Sequence, residues 1–324
     1  MYSTDAVSRP EISAFLEQAR AAERHFVAQR IFPVLGRTAR AGRYPVIKIA
    51  EGDLLRRNQT KRSSSGRYNE VSQVHTWDTY DCVDRGLEQR VDDTKAEEMS
   101  SFFDLEKLAS KNVLRKNLLD FEINAAALLL NESTFTAQDP TADYTEANVA
   151  TADFPKDIGE AIDEVTGRGE EVNSIVMSYP MFLFLRRTTH LQQYLYGKLG
   201  DTVQKRLITP KDLADAFSLD AEQPIQVILG RAKYDTSQKG LGTSVLTPIW
   251  SDSHIWVGDI RAGEFDEGGV GRTLVWEADI PGGLFASETY RDEGRRSDMV
   301  RVRTNSVEKI VNENAGHLIR KTGS

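Results

Sequence analysis

Side chains able to do chemistry are few and scattered in this 324-residue sequence. The five histidines, His25, His75, His190, His254 and His317, never fall two to a helical face at metal-ligand spacing. No H-E-x-x-H zinc motif and no G-x-S-x-G nucleophile elbow occurs. The single cysteine, Cys82, excludes an intramolecular disulfide and every multi-cysteine metal site. A lone thiol of this kind is more often a small buried hydrophobe than a nucleophile. SDSH at 251–254 sets Ser, Asp and His side by side, but a triad is defined by geometry rather than adjacency; polar turn residues before a strand are the simpler reading. GGVGRT at 268–273 has Arg272 where a phosphate-binding lysine would stand, and its glycines are too closely spaced. It reads as a turn. Carboxylates crowd 88–106 (Glu88, Asp92, Asp93, Glu97, Glu98), where they look like solvated faces. No cofactor or metal motif emerges, and the sequence reads as a non-enzyme.

The totals describe an ordinary globular protein, 40% hydrophobic and 28% charged, with no apolar run long enough to span a membrane and no secretion signal. The net charge of −8 hides an asymmetry. Residues 1–67 carry 13 Lys and Arg against 6 Asp and Glu, whereas the rest carry 28 against 43. A basic arm on an acidic body binds either nucleic acid or the acidic body of another copy.

The elements that must position these charges are unusual. Asp104–Glu132 reads as one uninterrupted helix of about 29 residues, roughly 43 Å at about 1.5 Å per residue. In projection its apolar positions form two stripes. Leu105, Leu108, Ala109, Leu119, Ile123, Ala126 and Leu130 make one; Leu114, Leu118, Phe121, Ala125 and Leu128 make the other. Lys111, Arg115, Asp120 and Glu122 fall between them. The pattern predicts a spine packed from both sides, with Leu105, Leu108, Leu114, Leu118, Phe121, Ile123 and Leu128 in the core.

Before the spine, a helix is expected over 11–31, opened by a Ser8/Glu11 capping box with Pro10 in its first turn and stopped by Pro33. Residues 36–45, with Arg37, Arg40 and Arg43, read as an extended connector. Val46–Ala50 reads as a strand and Glu70–Val83 as its return. Between them Glu51–Asn69 shows no period, and Arg56, Arg57, Lys61, Arg62 and Arg67 flank a Ser-Ser-Ser-Gly tip. Such an excursion is usually functional or disordered. A two-stranded finger is marginal alone in water, so it is expected to rest on another surface. After the spine, helices are expected over 155–166, over 180–199 and from Thr209 through Phe217. Strands are expected at 173–178, 224–232, 254–260, 272–278 and 283–290, with 299–304 and 307–311 forming a terminal hairpin.

Several phrases recur in a familiar order: FVAQRIFPVLGRTARAGRYPVIKIA, SSSGRYNEV, TYDCVDRGLEQRVDD, NSIVMSYPMFLFLRR, LITPKDLADAF, IQVILGRAKYD, PIWSDSHIWV and SDMVRVRTNSVEKIVNENAGHLI. Together they cover nearly the whole chain and resemble the major capsid protein of tailed bacteriophages, the Hong Kong 97-like family. The resemblance implies an α+β fold with an N-terminal arm (1–45), an extended E-loop β-hairpin (46–86), a peripheral P domain (87–172 and 296–324) carrying the spine helix 104–132, and a compact axial A domain (173–295). It implies a structural protein of the virion, assembled in the host bacterial cytoplasm into hexamers and pentamers of an icosahedral shell around double-stranded DNA. Arg56, Arg57, Lys61, Arg62 and Arg67 would make inter-subunit contacts through the E-loop. Arg37, Arg40 and Arg43 would face a neighbour or the DNA, touching the latter without sequence preference. Portal and decoration proteins are the further partners implied, with no cofactor and no membrane. The sequence starts almost directly with the arm, which resembles relatives using a separate scaffolding protein. Lys61, Asn305, Asn312 and Asn314 do not align as a cross-linking set, and no covalent cross-link is expected. The alternative of the same fold is an encapsulin-type compartment holding protein cargo.

Overall fold

The computed structural model describes residues 7–8, 25–46, 57–58, 60–62, 64, 66–71, 76–101, 104–197, 207–221, 223–237, 242 and 244–323. Along them run β1 (Val7–Ser8), α1 (Ala28–Ile31), β2 (Val34–Arg37), β3 (Ala41–Val46), β4 (Thr76–Asp81), β5 (Val83–Asp92), α2 (Asp93–Met99) and α3 (Leu105–Leu129). Then come β6 (Ala137–Gln138), α4 (Phe154–Gly167), β7 (Ser174–Ser178), α5 (Tyr179–Leu185), α6 (Thr189–Tyr196), α7 (Pro210–Asp220), β8 (Gln226–Gly230), β9 (Lys233–Asp235) and β10 (Leu246–Pro248). The chain closes with β11 (His254–Gly258), β12 (Gly271–Trp276), β13 (Ala286–Asp292), β14 (Ser297–Ile310) and β15 (Gly316–Arg320).

β14 is the axis of the larger sheet. β5 lies antiparallel along one side of it, from Asp92↔Ser297 to Val83↔Ser306. On its other side β13 pairs with Ser297–Arg303 and β12 with Ser306–Ile310. β1 extends the sheet beyond β13, and β2 runs parallel to β12. The terminal hairpin expected from 299–304 and 307–311 is therefore one strand of 14 residues. Asn305 and Ser306 do not turn, because Ser306 is paired on both sides, to Val83 and Val275. β5 gives little strand signal in the sequence, because as an edge strand most of its side chains are exposed and polar.

The second sheet has the order β6-β15-β11-β7-β8. Alternation of side chains across it divides the core. Val176, Ile228, Trp256 and Leu318 join the core under α3, while Ile175, Met177, Ile255, Val257 and Ile319 join a separate core roofed by α4–α7. Helix starts follow the sequence: Asp104 caps α3 by accepting from the N–H groups of Glu106 and Lys107, and Thr209 and Asp212 close a capping box on α7.

The spine helix differs from its projection. Its buried residues come in pairs every four positions, Ala109/Ser110, Val113/Leu114, Asn117/Leu118, Phe121/Glu122 and Ala125/Ala126. Four residues turn about 400°, so this single row drifts by about 40° per step, and a flat projection splits it into two stripes. Such an oblique ridge suits a helix lying across a twisted sheet. Among the described residues the helix is packed from one side only. Leu114, Leu118 and Phe121 are core residues; Leu105, Ile123 and Leu128 are half-buried; Leu108 is 40% exposed.

The expected helix over 11–31 is described only at its end. Its residues 11–24 lie outside the described residues; of the rest, His25–Val27 is not helical and Ala28–Ile31 is. In the expected strand pair, Arg56, residues 47–55 and residues 72–75 lie outside the described residues, and the described return strand is Thr76–Asp81.

Candidate assembly interface

The finger grows out of the main sheet. β3 and β4 pair from Ala41↔Asp81 to Val46↔Thr76, and only Cys82 separates β4 from β5. Residues 76–92 thus form one nearly continuous extended run, half in the hairpin and half in the sheet. The boundaries expected at 45/46 and 86/87 fall inside β3 and β5.

A small core fixes the junction. Tyr44, Tyr80, Cys82, Phe265, Leu274 and Val311 are buried together. The Tyr44 ring stacks on Phe265 at 4.8 Å, and its hydroxyl donates to Asp78 at 2.7 Å. Cys82 donates its N–H to Arg40 O, and its thiol faces Leu274 O at 3.5 Å. Burial pushes that thiol up to about 11, so it is inert. Beyond the junction the stem leaves the body: Trp77 is 63% exposed, beside a groove of about 580 Å³ between the stem and the body, lined among others by Val46, Leu128 and Ile310.

The described finger residues Arg57, Lys61, Arg62 and Arg67 are all exposed. Arg62 stacks over Tyr68 of the same loop at 4.8 Å. The connector arginines behave differently from one another. Arg37 pairs with Glu264 at 3.2 Å and lies over Phe265, and Arg40 donates to Cys82 O at 3.0 Å. Both are joined to the chain's own body, although Arg40 stays partly exposed. Arg43 stands exposed on β3.

The most informative residue was hidden in the sequence. Glu122, placed by projection on a charged strip, is fully buried. Its carboxylate accepts from Val27 N–H at 2.9 Å, Ala28 N–H at 2.8 Å and Trp250 Nε1–H at 2.6 Å. Burial raises its pKa against the opposing pull of these three donors. The carboxylate caps α1 from outside the helix, which explains why a fresh helical turn starts at Ala28. Nothing local in the sequence signals it, since the partners lie 94, 95 and 128 residues away.

SDSH comes closer to a relay than adjacency alone would give. Ser253 Oγ is 2.8 Å from His254 Nδ1, and His254 Nε2 is 2.6 Å from Glu132, just past the end of α3. Arg320 grips the same carboxylate at 2.8 and 3.1 Å, and Glu132 falls to about 2 through its bonds to Arg320 and His254. The N–H of Ser253 already donates to Ser251, and Arg320 is engaged by Glu132 and Asp139. Serine, histidine and carboxylate are thus bound into an ion-pair network with Arg320. The cluster ties α3 to β11 and β15. Arg272, at the place of the missing phosphate-loop lysine, is buried and donates to the carbonyls of Gly263, Glu264, Gly268 and Gly271. It locks a loop. Among the described residues no group of three or more His, Cys, Asp or Glu could hold a metal, and no helix is long and apolar enough to cross a membrane.

No protein-family model and no curated protein matches this sequence. Solved structures do. A phage-related protein from Bordetella bronchiseptica RB50 is similar over 99% of this chain and 99% of its own, at 20% identity and a TM-score of 0.69. The capsid of cyanophage P-SCSP1u matches over 90% of this chain and 87% of its own, at 10% identity and a TM-score of 0.53. The SrpI encapsulin complex from Synechococcus elongatus PCC 7942 matches over 94% and 89%, at 12% identity and a TM-score of 0.52. The chain has the α+β Hong Kong 97-like fold that its sequence resembles, and the fold is common to phage shells and encapsulins.

Proposed function

We propose that this protein is the major capsid protein of a tailed phage, a structural rather than catalytic component of the virion. Copies assemble in the host cytoplasm into hexamers and pentamers of an icosahedral shell around double-stranded DNA. The observation that carries this is the end-to-end match to a phage-related protein of the same fold, covering 99% of both chains. In this reading the arm is 1–45, the E-loop 46–86, the P domain 87–172 with 296–324, and the A domain 173–295. The finger's basic residues serve contacts between copies, and Arg43 faces a neighbour or the genome. Portal, scaffolding and decoration proteins complete the set of partners. An exposed tryptophan on a cantilevered hairpin supports a finger that is finished by another molecule, since exposed tryptophans are frequent interface anchors.

The test is expression with and without a scaffolding protein, followed by sedimentation and negative-stain microscopy. Hollow shells or tubes are expected; a stable monomer at every protein and salt concentration refutes the proposal. Replacing residues 56–67 by a short Gly-Ser turn should leave the monomer's circular dichroism and melting unchanged while removing stable particles. Likeness to an encapsulin supports the second reading, and the contents of purified particles, DNA or a protein cargo, decide between them.

A further inference from the structure

We propose that the exposed side of α3 lines the inside of the shell and meets the phosphate backbone of the packaged duplex. The inference rests on the shell reading and adds to it a surface for the genome and the side of the wall on which that surface lies.

Residues 107–119 hold Lys107, Lys111, Arg115 and Lys116 and no carboxylate, in a chain whose net charge is −8. The row of pairs that α3 buries leaves these four exposed on its other side. Lys107 is paired to Asp104 at 3.3 Å. No carboxylate of the described residues pairs with Lys111, Arg115 or Lys116. Lys111 and Arg115 stand one turn apart, about 6 Å along the axis at about 1.5 Å per residue, with Lys116 beside Arg115.

The opposite side of the same layer is neutralised within the chain. β14 lies under α3 with Val300 and Val302 in the cores beneath the helix, so Arg301 and Arg303 project from the other face of the sheet. There Arg301 pairs with Glu88 at 3.1 Å, and Arg303 with Asp279 at 2.6 Å and Glu288 at 2.7 Å. β5 runs on into the finger stem. A stem that reaches a neighbour lies along the wall, and the sheet continuous with it turns its two sides to the two surfaces of the shell. One surface carries unanswered positive charge and the other carries paired charge.

The chemistry of the helix side selects the partner. The stretch 107–119 has no aromatic residue, and its exposed or half-buried apolar side chains are Leu108 and Leu119. Protein interfaces centre on buried anchors, aromatic ones above all. Evenly spaced cations without an anchor suit a uniform polyanion instead. Duplex DNA carries one negative charge per about 1.7 Å of its axis whatever its sequence, and phosphate contacts of this kind read no bases.

Two measurements test the two halves. With Lys111→Cys in a Cys82→Ser background, intact shells should react with a small maleimide and not with one carried on a polymer too large to pass the wall. Reaction of intact shells with the polymer puts the face outside, and reaction with neither reagent puts it between copies; either overturns the inference and leaves the shell reading standing. The second measurement is the salt dependence of binding to a short mixed-sequence duplex. The combined variant Lys111→Gln, Arg115→Gln and Lys116→Gln, checked for unchanged circular dichroism, should flatten the slope of log affinity against log salt by about 2 to 3, from about 0.9 for each of three phosphates. Lys111→Arg with Lys116→Arg should keep the wild-type slope. An unchanged slope in the glutamine variant overturns the inference; if uptake of a scaffolding protein is lost at the same time, the face belongs to an acidic protein. A wild-type chain that forms no particles overturns the shell reading, and with it the side of the wall, while the slope still reports the phosphate contact.

Discussion

Replacing Glu122 offers the sharpest test of how the arm is held. Three donors converge on its carboxylate: Val27 N–H and Trp250 Nε1–H on Oε1, and Ala28 N–H on Oε2. Glutamine keeps one acceptor oxygen but sets an NH₂ group against the Ala28 N–H. One backbone donor is orphaned, costing about 1–3 kcal/mol. Relief from burying a charge offsets part of this, because burial disfavours the ionised form. Glu122→Gln should therefore destabilise by about 1–2 kcal/mol, and Glu122→Leu, which orphans all three donors, by several kcal/mol. pH gives a second handle. The raised folded pKa means stability is fully present below the ordinary value of 4.5 and is lost as pH rises through the folded value. The glutamine variant lacks that loss, so its deficit should shrink as pH rises. Urea unfolding of free subunits between pH 4.5 and 8 measures both effects, and hydrogen exchange at residues 25–32 localises them. A leucine variant as stable as wild type, with unchanged exchange at Val27 and Ala28, refutes the reasoning.

His317 should make the free subunit acid-sensitive. Burial and the neighbouring Arg168 depress it from 6.5 to about 4, so stability present above 6.5 is lost as pH falls toward 4, by up to about 2 kcal/mol at pH 5; His317→Gln should flatten that part of the melting profile. Cys82→Ser should assemble normally and cost the subunit about 1 kcal/mol or less, since a serine hydroxyl can also donate to Leu274 O; micrographs and melting curves check it. Leu118→Asp should yield no soluble protein, because a carboxylate at this 2%-exposed position costs several kcal/mol, comparable with total stability. A soluble, cooperatively melting variant would show that this part of α3 is not core.

What could be read from the sequence is what short-range chemistry determines. Asp104, Thr209 and Pro210 mark helix starts because caps act within one turn. α4 and the pair α5/α6 lie where their apolar spacing puts them. The errors occur where a residue's role is set from far along the chain. The apolar and polar members of the α3 row cannot be told from a two-sided helix until the underlying sheet is known. Glu122 looks like any surface carboxylate until arm and turn supply its donors. β14 looks interrupted at Asn305 because polar residues suggest a turn, yet Asn305 Nδ2 donates to Asp279 at 2.9 Å and the strand continues. Of the residues proposed for assembly, the basic loop is legible as a charge pattern.

The finger's mechanics follow from its continuity with the sheet. A hairpin of six-residue strands has little stability alone, but β4 shares its chain with a ten-residue strand zipped to β14. Bending the finger about Cys82 would separate Cys82 N–H from Arg40 O and strip Tyr44 from Phe265. It would also pull the Tyr44 hydroxyl from Asp78 if the strands splayed. β14 in turn lies under α3, where Asn117 Nδ2 donates to Val302 O at 2.8 Å. A force on the finger is thus passed through β5 and β14 to the spine helix, and through Glu122 to the arm and Trp250. The long helix is a brace for the sheet from which the finger projects, which is why one buried face is sufficient for it.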